Sequence, residues 1–251
     1  MNPGTAGLAR GLEVLAALAE PAAARHGLGV VRLAALVGGD KSQLSRTLAT
    51  LAEQGFVERD PETMAYRLGW HVFALASRAA ESRLLVAAPA VLRGLVAALG
   101  ESAHLSVRQG AHSLTLFSVP SPATLHAPGR VGELTPLATT SSGRVLVSDL
   151  GDDELAALGL VPAREAIARA HADGYAIVRE EFEEGLVAAA APIRGPGGHI
   201  VAAINVSAPS FRFEHRLDEA ARLLVEAADA LSGVLRGDAL DTVSDDLAPV
   251  G

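Results

Sequence analysis

The sequence predicts an α+β chain in two parts, a small helical head closed by a hairpin and a larger body built on an antiparallel sheet. Three observations predict it. Leucines recur at helical spacing as far as Leu51, and the period then drops to two in short runs bounded by turn residues. Beyond Gly100, alternating segments come in pairs and are followed by one long amphipathic helix.

The head is organised around Asp40 to Leu68. Leu44, Leu48 and Leu51 fall on one helical face, and Asp40 with Gln43 three residues on resembles a capping box that starts the helix. Gly55 stops it. Phe56 to Arg59 and Ala65 to Leu68 read as two strands about the turn Asp60-Pro61-Glu62-Thr63. Upstream, Leu8, Leu12, Leu15 and Leu18, with Val14 beside them, predict a helix over 8–20. Pro21 to Gly29 reads as a loop, and Val30 to Val37 as a second helix ended by Gly38-Gly39. Three helices followed by a hairpin make an N-terminal winged helix-turn-helix over residues 1–69.

Ser42, Gln43, Ser45, Arg46 and Thr47 lie off the leucine stripe. They are short hydrogen-bonding side chains and one forked cation, the types that reach base edges and phosphates in a major groove. Lys41, at the helix start, is the only lysine of the chain. On an isolated helix these residues would be a solvated face. The hairpin behind and the two helices before favour a DNA-reading helix, with Arg67 of the wing reaching the adjacent backbone.

At 251 residues, 49% hydrophobic and 20% charged, the chain suits two modest domains with ample core. With no cysteine it has neither disulfides nor thiolate metal sites, and its eight histidines offer no helical pair for zinc. Arg10 and Glu13 break the N-terminal apolar run, so it reads as an amphipathic helix and not a secretory signal. No stretch approaches bilayer-spanning length, so a cytoplasmic protein without a membrane partner is expected. Residues 1–68 carry seven basic and seven acidic side chains, and the net charge of −8 belongs to the rest. A neutral head can still hold phosphate, but a single copy would bind weakly, so dimerisation is expected.

Trp70 to Leu85, apolar at 72, 73, 75, 76 and 79, predicts a helix leaving the wing; Trp70 suits either core packing or a dimer contact. Val86 to Leu99 predicts another helix, with Pro89 near its start. His104 to Arg108 and Ser113 to Val119 form a hairpin about Gln109-Gly110-Ala111, and Pro120 to Gly129 a loop. Helices are expected over 141–150, capped by Thr139 or Thr140, and over 164–172, ended by Gly174. Leu186 to Ile193 and His199 to Ser207 are strongly apolar strands about Gly195-Pro196-Gly197-Gly198. Arg216 to Leu235 is the closing helix, and the aspartate-bearing tail from Gly237 lacks periodicity and is expected to be disordered.

The start at Ser141-Ser142-Gly143 suits an anion, since its first N–H groups lack intrahelical partners; the alternative is a helix capped by its own hydroxyls. Enzyme-like patterns fail on context. Gly39-Asp40-Lys41-Ser42 lacks the strand and the glycine of a phosphate loop, and Gly195 to Gly198 links two strands. The acidic run Glu180 to Glu184 reads as solvated surface with one or two carboxylates holding a loop. No catalytic group, metal site or cofactor is expected.

Segments 8–15, 41–48 and 55–60, with Tyr66-Arg67-Leu68-Gly69, resemble the DNA-binding domain of IclR-type transcriptional regulators. Asp40 departs from the proline often found there. The body resembles the same family's effector-binding domain, a GAF-like α/β sensor domain with an antiparallel sheet. That likeness rests on Gly132 to Leu137, Thr140 to Arg144, His171 to Tyr175, Glu180 to Gly185, Ala191 to Ile193 and Val206 to Pro209. The resemblance implies a linker helix over 70–85, an effector domain over 86–237 and an acidic tail over 238–251. It implies a cleft in which Val178, Ala188, Asn205 and Ser207 join Ser141, Ser142 and Gly143. Relatives often carry an acid at 178, cysteine at 188 and lysine at 144, so a less polar pocket and a larger, partly apolar ligand are expected. The function implied is a regulator that binds a near-palindromic double-stranded operator as a dimer or dimer of dimers, tuned by a small-molecule effector. The rivals are a sensor whose winged domain binds protein and an enzyme built on the GAF-like half.

Overall fold

The computed structural model describes residues 3–20, 23, 26–38, 40–76 and 82–237. Two compact units emerge, Met1–Ser82 and Arg83–Gly251. The first holds α1 (Pro3–Ala19), α2 (Val30–Val37), α3 (Lys41–Glu53), β1 (Val57–Arg59), β2 (Tyr66–Leu68) and α4 (Trp70–Ala76). Its core joins Val14 and Leu18 of α1, Leu33 of α2, Leu44 and Leu48 of α3 and Val57 of β1.

The expected leucine stripe of α1 is split. Gly11, Val14 and Leu18 form the buried line, while Leu8 and Leu12 stay 67% and 59% exposed. Where a loop was expected over 21–29, the described Ala23 and His26 are helical, and Leu28 exchanges both backbone hydrogen bonds with Tyr66 at 2.9 Å, an antiparallel bridge on the outer side of β2. In the hairpin turn Asp60 Oδ1 accepts from the N–H of Glu62 (3.0 Å) and Thr63 (2.8 Å).

The seam between α3 and the wing is very tight. The chain leaves α3 through Gly55 at φ +71°, and Gly69 N donates to Phe56 O at 2.8 Å. A Cβ on Gly69 would lie 2.2 Å from the Gly55 carbonyl oxygen, so only glycine fits without backbone movement.

The second unit holds α5 (Ser82–Leu99), β3 (Ser102–Gln109), β4 (His112–Val119), β5 (Leu134–Pro136), α6 (Ser141–Leu146), α7 (Asp152–Ala157), α8 (Arg164–Asp173), β6 (Ala176–Arg179), β7 (Leu186–Arg194), β8 (Ile200–Pro209), α9 (Ser210–Phe213) and α10 (Leu217–Arg236). Its strands form one antiparallel sheet in the order β5-β4-β3-β8-β7-β6. On one face Leu105, Val187, Ala189, Ile204 and Val206 pack against the leucines of α5 and α10. On the other, Ala190 and Ala203 are small enough to seat Val145 and Leu146 of α6. Arg212 of α9 grips buried Glu101 with two hydrogen bonds, at 2.6 and 2.7 Å, and ties α9 to the start of β3.

The expected 141–150 helix stops at Leu146, and β5, α7 and β6 are additions to the expected elements. The helix leaving the wing is resolved as α4, ending at Ala76, and α5 begins at Ser82. Trp70, 76% exposed, is not core within its own chain. The tail expected to be disordered, 238–251, lies outside the described residues.

Gly69→Ala is expected to destabilise the N-terminal unit by about 2 kcal/mol, the usual scale of overpacking. The shift of its urea unfolding midpoint measures this, and an unshifted midpoint would mean that the seam yields freely.

Candidate functional site

The exposed side of α3 is one candidate surface. Asp40 caps the helix, its Oδ1 accepting from Ser42 N (3.1 Å) and its Oδ2 from Ser42 Oγ (2.7 Å). These bonds lower the Asp40 pKa below the ordinary aspartate value, so it stays ionised. The expected capping box does not close, because Arg10 of α1 donates to Gln43 Oε1 instead. Lys41, Ser42, Gln43, Ser45 and Arg46 are exposed, and Thr47 is half-buried near Gly11 with its hydroxyl donating to Gln43 O at 3.2 Å. Arg46 Nε reaches back to Ser42 O at 3.4 Å. Among the described residues neither Lys41 nor Arg46 has an ion-pair partner. Arg67 of β2 pairs with Asp60 at 2.6 Å across the wing turn.

The second candidate is a cavity of about 70 Å³ in the C-terminal unit. Its floor is the sheet face opposite α5 and α10, where alternation turns His104 and Ser106 of β3, Ala188 of β7 and Asn205 and Ser207 of β8 the same way. Thr140, Ser141 and Ser142 wall it at the start of α6, with Thr135 of β5 and Arg130 of the preceding loop. Phe182, from the β6–β7 connection, closes one side. Of the seven residues singled out in the sequence, Ser141, Ser142, Val178, Ala188, Asn205 and Ser207 line this cavity.

Gly143 does not. Its N–H is taken by Thr140 Oγ1 at 3.1 Å, and a Cβ there would lie 2.5 Å from Leu137 Cα and O. Glycine at 143 thus serves the packing of α6 on the segment before it, and the threonine satisfies the cap as the alternative reading had it.

Beside the residues named from the sequence, His104, Ser106, Thr115, Arg130 and Thr135 line the cavity as well, while most of its exposed lining is apolar. It is also small, about half the roughly 150 Å³ that holds a benzene. Sequence reasoning missed His104, Arg130 and Phe182, which come from a strand and two connections far apart in the chain. A polar residue inside an otherwise apolar strand, as at His104, was the available signal.

His104 is 5% exposed, with Nε2 2.9 Å from Ser207 Oγ. Burial first, then the charge of Arg130, pushes its pKa down to about 4, so the imidazole is neutral near pH 7. The acidic run behaves as the sequence suggested. Glu181 takes two hydrogen bonds from buried Arg144, and Glu183 pairs with Arg130 at 2.7 Å, so two carboxylates hold the connection that carries Phe182. Asn205 Oδ1 is buried without a hydrogen-bond partner. A larger hollow of about 400 Å³, charged and lined by Arg169, Asp173, Arg179 and Asp218 among others, runs along β6 and takes in none of the predicted ligand residues. Among the described residues no helix is long and apolar enough to cross a membrane, and no His, Asp and Glu cluster could hold a metal.

Comparison with known proteins agrees with both units. The family model for the IclR helix-turn-helix domain matches residues 7–61. The model for the C-terminal part of bacterial transcriptional regulator IclR matches residues 77–233. The HTH-type transcriptional regulator Rv1719 of Mycobacterium tuberculosis is 30% identical over 233 residues, 87% of this chain and 88% of that protein. The transcriptional repressor IclR of Escherichia coli is 27% identical over 240 residues, 88% and 86% of the two chains. Among solved structures, an IclR homolog complexed with 4-hydroxybenzoate, from Microbacterium hydrocarbonoxydans, superposes with a TM-score of 0.73. It covers 92% of this chain and 100% of that one at 22% identity, a likeness of fold.

The buried histidine sets a pH dependence. Its folded pKa is depressed from 6.5 to about 4, so the unfolded chain takes up the proton first. Its contribution to stability is complete above about pH 6.5 and is lost as pH falls towards 4, up to about 3 kcal/mol. His104→Gln is expected to flatten the C-terminal unit's stability between pH 7 and 4.5, measured by urea unfolding; an unchanged slope would place the sensitivity elsewhere.

Proposed function

The chain belongs to the IclR family of bacterial transcriptional regulators, and from that premise we propose that it binds a near-palindromic operator as a homodimer or dimer of dimers. The observation that supports this most directly is α3, seated on the N-terminal core by Leu44 and Leu48, with Lys41 and Arg46 exposed and without ion-pair partners among the described residues. Lys41 and Arg46 supply affinity through phosphates. Ser42, Gln43, Ser45 and Thr47 supply base preference, and Arg67 carries the wing contact.

Five of these side chains hold internal partners that DNA must replace or recruit, among them Ser42 Oγ on Asp40, Arg46 Nε on Ser42 O and Thr47 Oγ1 on Gln43 O. Arg67 shares its charge with Asp60, and Gln43 is oriented by Arg10. The charge-balanced head needs two copies for useful affinity. Exposed Leu8 and Leu12 on α1 support a second copy covering that helix, since apolar side chains left in water favour association.

In the C-terminal unit Ser141, Ser142, Val178, Ala188, Asn205 and Ser207 form the effector cavity, with Gly143 holding the wall behind Ser142. Ligand there shifts the balance between arrangements of the dimer, and operator affinity responds reciprocally.

Arg46→Ala is expected to weaken binding to the upstream region of the chain's own gene and to reduce the slope of log affinity against log salt by about 1 per subunit. Gel shifts from low to moderate salt measure both, and an unchanged slope would remove Arg46 from the interface. Ser142→Trp is expected to abolish the effector response while leaving operator affinity intact; a response that survives would move the ligand elsewhere.

A further inference from the structure

Two hydrogen bonds on the exposed side of α3 have directions fixed by the chemistry of their partners. Asp40 can only accept, because the bonds from Ser42, side chain first, and then the charges of Arg46 and Arg10 hold its carboxyl ionised near pH 7. Ser42 Oγ, 2.7 Å from Asp40 Oδ2, is therefore the donor, and its only hydroxyl proton is spent there. The Ser42 N–H on Asp40 Oδ1, at 3.1 Å, keeps the carboxylate in place. What Ser42 turns outwards is lone pairs.

The second bond has the opposite effect. A guanidinium can only donate, so the atom of Gln43 that Arg10 touches is the amide oxygen, Oε1. That oxygen is turned towards α1, and the amide NH2 is left as the free end. Among the described residues Arg10 has no carboxylate partner to draw it away.

Ser42 and Gln43 lie in the first turn of α3, the part of a recognition helix that meets base edges. In the major groove adenine and cytosine present an amino donor, whereas guanine and thymine present acceptors only. A free serine serves either kind, and a free glutamine grips adenine with both amide atoms. Held as they are, neither side chain does so without giving up or sharing a bond.

We propose that Asp40 and Arg10 are positioning residues that preset how α3 reads DNA, Ser42 accepting from a base amino group and Gln43 donating to base acceptors. This rests on α3 being the DNA-reading helix and adds the polarity with which it reads.

A pool of duplexes of random sequence, selected on the full chain at low salt, tests this through the base preference at each position. Ser42→Ala and Gln43→Ala each mark the position their residue reads by flattening it. At the Ser42 position the native chain is expected to favour adenine and cytosine. Asp40→Asn keeps a helix cap but sets an amide NH2 against Ser42 Oγ, so the hydroxyl proton turns outwards. The ratio of adenine and cytosine to guanine and thymine there is expected to fall at least roughly fivefold. The lost negative charge tightens every duplex alike and does not enter that ratio.

At the Gln43 position guanine is expected to lead, and Arg10→Met to raise adenine over guanine at least roughly fivefold. In a Gln43→Ala background Arg10→Met is expected to shift nothing at that position. An unchanged ratio in Asp40→Asn or in Arg10→Met would overturn the proposal. So would an Arg10→Met that weakens all duplexes alike and lowers the salt slope, the mark of a phosphate contact. If the native chain selects a site that Ser42→Ala and Gln43→Ala leave untouched, this inference falls and DNA binding stands. If it selects no sequence at all, the operator-binding reading falls as well.

Discussion

A two-residue alternation along β3, β7 and β8 is the constraint on which the C-terminal unit depends. On these strands Leu105, Val187, Ala189, Ile204 and Val206 face α5 and α10, while His104, Ser106, Ala188, Asn205 and Ser207 face the other way. Slipping β3 by a residue would drive an imidazole into the leucine layer, slipping β8 would drive an amide there, and either would open the cavity floor to alkyl groups. The register therefore makes one decision for both purposes. The same strands that give the domain its core give it a polar floor, and His104 opposite Asn205 is where the two strands contribute side by side.

The N-terminal unit is held by a different device, backbone against backbone. Gly55 and Gly69 bring the end of α3 and the exit of the wing into contact too close for any side chain. This leaves α3 free to spend one side on the core and the other on solvent. Small local bonds organise that solvent side, with Asp40 holding Ser42, Arg10 holding Gln43 and Asp60 holding Arg67. Each restricts a side chain that is otherwise free to turn, and each would have to be kept or exchanged at the proposed DNA contact.

Elements with sustained periodicity were legible in the sequence. The bounds of α2 coincide with Val30 to Val37, and the strands β7 and β8 and the helix α10 fall within a residue or two of their expected limits. Short elements were not. The three residues of β5, the four of β6 and the six of α7 are too brief to show a period, and they form because neighbouring strands and helices receive them. The α1 stripe shows the converse. Leu8 and Leu12 have helical spacing, but buried Gly11 lets the core form on the adjoining line. For the cavity, the residues carried by the resemblance were largely brought together. His104, Arg130 and Phe182 were not foreseen, because only the strand register and the loop closure place them beside Asn205.

The outer strands of the sheet have a consequence for growth. Only three residues pair at β5, the last of them a proline with no N–H to offer, and β6 has four and ends in the charged Arg179. Neither margin gives a neighbouring molecule a long, flat row of free amides on which to lay a strand. Edges so short guard the domain against strand-to-strand fibril growth.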